Sequence, residues 1–207
     1  MAQRKQQFLE GEYYHIYNRG NSKQTIFHDS ADYERFISLL YIANSKKNFK
    51  SYLVARSDLF RVDRGTQLVA IGAWTLMPNH FHLLTTPLVE NGISKFMQKL
   101  TTGYSMYYNQ KYKRTGGLFE GRFKATHADT DEYLKYLYAY IHLNCQKIIG
   151  IHPIDSYQYS SFLDYVGQYR PWNQIIDPKC FSLYFKDKES IQKDIQQWIL
   201  YRSDLAK

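Results

Sequence analysis

His80 and His82 stand two residues apart in the run Trp74–Leu84 (WTLMPNHFHLL), which otherwise reads as a buried strand. Side chains alternate across a strand, so both imidazoles project from one face with room for a shared metal ion between them. The same pair also fits a strand whose histidines only hydrogen-bond or face water. A second chemical cluster follows in Thr130–Lys147, where Thr130 is placed to cap a helix and Asp131 and Glu132 occupy its first turn. On that helix Tyr140 and Asn144 are one turn apart on the same face, together with Tyr133, Tyr136 and Leu137. Taken alone, this face reads equally as a tyrosine-rich core stripe. Two imidazoles and a neutral amide around one metal, beside a tyrosine, form a set that can cleave phosphodiesters.

The basic charge is concentrated in the part of the chain that carries these residues. The 207 residues have a formal net charge of +8. Residues 1–149 hold 20 Lys and Arg against 12 Asp and Glu, whereas residues 150–207 hold 7 of each. Between 95 and 124 lie Lys95, Lys99, Lys111, Lys113, Arg114, Arg122 and Lys124 against Glu120 alone, interleaved with Tyr104, Tyr107, Tyr108, Tyr112, Phe119 and Phe123. Cations that neutralise phosphates, set beside rings on which bases stack, suit a single nucleic-acid strand. A solvated helix face above a tyrosine-rich core is the alternative for any one of these residues. Cys145 and Cys180 cannot form a disulfide framework or a zinc site alone, and they fit a reducing compartment. No apolar run approaches a membrane span, and the first residues lack the apolar core of a signal peptide, so a cytoplasmic protein without membrane association is expected.

The segments Tyr14–Asn21 (YHIYNRGN), Met77–Leu84 (MPNHFHLL), Gly117–Lys124 (GLFEGRFK), Tyr140–Asn144 (YIHLN) and Tyr159–Ser161 (YSS) resemble the successive signature blocks of the HUH single-tyrosine transposases. Their order and spacing most resemble the REP-associated tyrosine transposase branch, from about Tyr13 to about Val166. The resemblance implies a bacterial enzyme, on the nucleoid when bound to DNA, that nicks and transfers single-stranded DNA through a 5′-phosphotyrosine. It implies Tyr140 as nucleophile, with His80, His82 and Asn144 holding a divalent ion. The neutral amide and phosphate oxygens favour Mg or Mn for that ion. The implied partner is single-stranded DNA with a hairpin or palindromic element, contacted by Arg19, Asn21, Lys95, Lys99, Lys111, Lys113, Arg114, Arg122 and Lys124, and the protein would act as a monomer or homodimer. The alternative is a DNA- or RNA-binding protein of the same fold that no longer cleaves. A hydrolase using water as nucleophile is a third reading. The chain departs from the family pattern in having Cys145 where a proline often follows the Asn, and in a longer stretch at 53–67 that reads as an exposed insertion.

The elements that must position these residues form an α+β pattern. Strands are expected at Tyr13–Arg19, Phe49–Ala55, Leu68–Thr75 and His80–Thr86, the last two separated by Pro78-Asn79 or fused into one bulged strand. Helices are expected from Ser30 to about Lys46, from Asn91 to about Tyr112 and over the tyrosine segment, with a strand or hairpin over Phe119–Ala128. This is the split βαβ order of a ferredoxin-like antiparallel sheet with helices packed on it, the HUH endonuclease fold. Residues 1–150 would form that domain. Residues 151–207 would form a C-terminal extension with an amphipathic helix from about Lys188 to Tyr201, docked on the domain or on a second subunit. His15 on the first strand and His127 are each read either as near the site or as satisfied strand histidines, and His142 points away from Tyr140. Arg19, Gly20 and Asn21 end a strand either as a backbone-reading loop or as a plain turn. Glu120 and Arg122 read as an ion pair, or Arg122 as a phosphate contact.

Overall fold

The computed structural model describes residues 7–48, 56–146 and 156–181, with isolated positions at 189, 193 and 197. The expected strand at 49–55 falls outside the described residues, as does nearly all of the expected helix at 188–201. Strand β1 (Tyr13–Arg19) leads to helix α1 (Ser30–Ile42), then to β2 (Val69–Met77) and β3 (His80–Pro87), helix α2 (Gly92–Lys111), β4 (Lys124–Ala128) and helix α3 (Asp131–Leu143). A short helix, α4 (Phe162–Tyr165), follows. The sheet is antiparallel throughout, in the order β2-β3-β1-β4, so the two central strands are β1 and β3. This is the expected ferredoxin-like arrangement.

Met77 pairs with His80, so Pro78-Asn79 is a two-residue hairpin turn and not a bulge in one long strand. Proline is tolerated there because no ladder donor is required of it. The 20–27 loop anchors the turn from outside: Ile26 and Phe27 donate to the Pro78 carbonyl, and Gly20 donates to that of Asn79. The register irregularity lies at Gly72 instead, between Ile71 and Ala73. There the Phe181 ring packs so close that an added Cβ would meet it at 2.6 Å.

Helix α1 ends earlier than expected, because the buried Asn44 side chain turns to the start of β2. Its Oδ1 accepts from Leu68 and Val69, and its Nδ2 donates to the Val69 carbonyl. Asn91 does precede α2, but with φ +59° and no capping bond from its side chain. The expected strand at 119–128 is shorter, since Gly121 at φ +68° turns the chain before β4 begins.

Alternation divides the sheet into two faces. Tyr14, Ile16, Phe81, Leu83, Trp74 and Leu76 pack with Phe36, Leu40, Phe96, Leu100 and Tyr104 of α1 and α2. The other face carries Ala73, Met77 and Leu84 beneath Leu134, Leu137, Tyr138 and Ile141 of α3. Residues 156–181 belong to this second core. Tyr157, Phe162, Leu163 and Phe181 are buried in it, and Ser160 bridges Thr75 so that part of the β2 edge is covered.

His142 is fully buried between α3 and this segment, where its Nε2 lies 2.8 Å from Ser161 Oγ, and Tyr138, Phe162 and Tyr165 surround its ring. Burial lowers its pKa to about 3, and the Arg170 charge acts in the same direction. A histidine whose folded pKa lies below its unfolded value contributes stability that is present at neutral pH and is lost as pH falls from about 6.5 towards the folded value. Unfolding free energy should therefore decline on acidification through that window, by up to about 1.4 kcal/mol per pH unit from this one group. His142→Gln should flatten the slope in urea melts at pH 7, 6 and 5, and an unchanged slope would refute the assignment.

Candidate active site

The α3 face of the central strands holds a cluster of aromatic and imidazole rings. Antiparallel pairing sets Tyr17 of β1 directly opposite His82 of β3 and Arg19 opposite His80. His15, two residues before Tyr17, is therefore the diagonal neighbour of His82 on the same face. The His15 Nε2 and His82 Nδ1 atoms are 2.8 Å apart, with the two rings 18° from parallel. Both are buried, and desolvation lowers the His15 pKa to about 4, so this imidazole is neutral at physiological pH. His80 is less buried and meets the ring of His82 edge-on, with centroids 5.0 Å apart. Its Nδ1 lies 2.6 Å from Asn79 Oδ1, in the hairpin turn.

Helix α3 delivers the tyrosine. Thr130 caps it by accepting from the Tyr133 amide, which sets where the helical face begins. Tyr133, Tyr136 and Tyr140 then stack in sequence at 5.9 and 5.8 Å, each about one helical turn from the next. Of these three, Tyr140 reaches the histidines, its ring standing edge-on to His82 at 5.8 Å and to His15 at 5.9 Å. Tyr138 faces the second core with His142, opposite the site, as periodicity requires. Asn144 is buried at the helix C-cap, with Nδ2 donating to the Tyr140 carbonyl at 3.2 Å.

His80 and His82 present two imidazole donors on one face, which suits a divalent ion completed by further ligands. Among the described residues no three His, Cys, Asp or Glu side chains converge where one ion could be held. A closed zinc site of those ligands is therefore not what the described residues build. Two imidazoles whose engaged nitrogen is Nδ1 would bind through Nε2, leaving the remaining positions to amide, water or phosphate oxygens.

The cations separate by location and by partner. Lys124 is exposed and shares the α3 face with Tyr17, its partner in the register. Arg19 shares that face too and pairs with Glu120 through both Nε and Nη2, so the carboxylate of Glu120 goes to Arg19 and not to Arg122. Lys111 is drawn into Asp29 and the fully buried Asp32, Lys99 donates to the Ser45 and Lys47 carbonyls, and Arg114 donates to Gln24 and the Gly117 carbonyl. These three cations hold local structure. Lys95 and Lys113 are exposed along or just after α2, and Asn21 is exposed beside Leu118, whose carbonyl accepts from its amide. Arg122 lies on a groove of about 840 Å³ between α2 and the 117–123 loop, on the far side of the sheet from Tyr140, with Met97, Leu118 and Phe119 among its apolar wall. His127 pairs with Glu12 and stacks on Tyr14, also away from the site.

Sequence reading alone left His15 undecided and passed over Tyr17 and Asn79. Alternation did place His15 and Tyr17 on one face, but only the β1–β3 register shows that His82 is what they face.

Residues 61–144 match the family model described as "Transposase IS200 like". No curated protein matches the chain. Among solved structures, one described as the REP-associated tyrosine transposase bound to a REP hairpin has the same fold, with a TM-score of 0.56 over 83% of this chain and 90% of that one at 14% identity. The match spans both the histidine pair and the tyrosine helix, so over residues 61–144 the chain is similar to the IS200-like transposases.

Proposed function

We propose that the protein is a metal-dependent, hairpin- or sequence-specific single-stranded DNA endonuclease and strand transferase with Tyr140 as its nucleophile. The observation that carries this reading is the edge-on packing of Tyr140 against His82, both within the residues that match the IS200-like transposase model. His80, His82 and Asn144 would hold a Mg or Mn ion. When bound, that ion supplies charge to a non-bridging phosphate oxygen and orients the scissile bond.

The tyrosine's own step balances without a further reagent. The phenolic oxygen of Tyr140 bonds to phosphorus as the P–O3′ bond breaks. The phenol gives up its proton and the departing 3′ oxygen takes one up, leaving a 5′-phosphotyrosine and a free 3′-hydroxyl. Because one phosphodiester replaces another, attack by a 3′-hydroxyl reverses the step and rejoins strands without ATP. His15 and the stacked Tyr136 hold the phenol from two sides, which limits the geometries it can sample before attack.

The solved relative was captured with a REP hairpin, and the same ligand class suits the surface here. From 91 to 119 the chain has no acidic residue and five cations. The exposed Lys95, Lys113, Arg122 and Lys124 would carry the phosphate contacts, while Lys99, Lys111 and Arg114 also serve the fold.

Incubation with a labelled hairpin-bearing single strand and Mn should yield a covalent adduct on a denaturing gel, and excess EDTA should abolish it. Tyr140→Phe should form none while still binding the strand, and Tyr136→Phe should keep it. A nucleotide mapped to Tyr136, or cleavage with no adduct, would overturn the assignment.

Strand affinity should fall steeply with salt, since each neutralised phosphate on a single strand contributes about −0.7 to the log–log slope. Combined Lys113→Gln, Arg122→Gln and Lys124→Gln should flatten that slope by about 2 if each residue neutralises one phosphate. The unfolding midpoint should stay unchanged in the Lys113→Gln, Lys124→Gln pair, since both side chains are exposed. An unaltered slope would place the strand elsewhere.

A further inference from the structure

We infer that His15 and Asn79 are positioning residues that hold His82 and His80 in the tautomer and ring orientation that present Nε2 to a divalent ion. The inference deepens the metal reading above and rests on it.

Asn79 settles its own case. Its Nδ2 donates to the Lys23 carbonyl at 3.1 Å, so the amide is oriented and Oδ1 is the atom turned to His80 at 2.6 Å. A carbonyl oxygen only accepts, so His80 Nδ1 carries the proton. In a neutral imidazole the lone pair is then on Nε2.

His15 does the same for His82 from the neighbouring strand. Two ring nitrogens 2.8 Å apart share one proton, so one donates and the other accepts. With His82 ligating through Nε2, its Nδ1 carries that proton and His15 Nε2 accepts it. The pair is buried, the rings are near-parallel, and Tyr17 stacks on both. His15 is not a third ligand, since no three such groups converge among the described residues. An apolar residue at position 15 would leave the buried His82 donor without this acceptor and its ring free to turn.

The test uses the full chain without DNA, titrated with Mn(II) and followed by the electron paramagnetic resonance of the free ion. His15→Leu should weaken Mn(II) binding about 10- to 100-fold. His15→Gln, which can offer a carbonyl acceptor, should recover most of the loss. Hairpin binding in EDTA should not change in either variant. Nitrogen-15 spectra of the wild-type histidines should show His80 and His82 protonated at Nδ1, a readout that stands even if a variant fails to fold. Equal Mn(II) affinity in wild type and His15→Leu, with affinity still lost in His82→Ala, would overturn the positioning role alone, as would a wild-type His82 protonated at Nε2. Absence of Mn(II) binding by the wild type, or affinity unchanged in His82→Ala, would overturn the metal reading together with it.

Discussion

The pairing of β1 with β3 sets everything that happens on the α3 face, because a strand offers alternate residues to each side and register decides which of them meet. With Tyr17 opposite His82, the odd-numbered residues of β1 and the even-numbered residues of β3 share one surface. A slip of one residue would turn His15 and Tyr17 to the α1–α2 core and bring Ile16 under the tyrosine helix. The register is held by burial on both faces. Ile16, Phe81 and Leu83 are fully buried on the α1–α2 face, and a slip would expose that set or force imidazoles into its place. The hairpin turn adds a second restraint, since the 20–27 loop bonds to both Pro78 and Asn79 immediately before the first histidine.

Helix α3 is held between the sheet and residues 156–166. One side of it contributes Leu134, Tyr138 and Ile141 to the second core, and a neighbouring side carries Tyr133, Tyr136 and Tyr140. His142 closes the far side against Ser161, whose hydroxyl also accepts from the Trp74 amide of β2. Each of these contacts limits rotation of the helix about its axis. That rotation determines whether Tyr140 or a neighbour stands over His82, so the segment beyond 156 helps to set where Tyr140 stands.

Positive charge serves two purposes in this chain. Asp32 is buried, and an ionised carboxylate there requires partners, which Lys111, Tyr107, Tyr112 and the His28 amide supply. Lys99 likewise satisfies carbonyls beyond the end of α1. Arg170 and Arg114 are also bonded into the fold, whereas Lys95, Lys113 and Lys124 are exposed. A sequence count of cations merges these two populations.

The sequence by itself determined the antiparallel α+β architecture and most element types among the described residues, because those depend on local periodicity and on spacings within single elements. The i, i+2 histidines, the i, i+4 tyrosine and amide, and the Thr130 cap each lie within one element. Lengths were less legible where a side chain acts across the fold, as Asn44 does in ending α1 to serve β2, or where Gly121 turns the chain before β4. Only the tertiary structure decided which strand residues face the pair, since register depends on contacts distant in sequence. It moved His15 from an open question to the neighbour of His82, gave Asn79 a partner in His80, and paired Glu120 with Arg19 across 101 positions of sequence. It also set Tyr140, of that tyrosine stripe, against His82 and His15, because helical periodicity fixes which side chains share a face while packing fixes what that face meets.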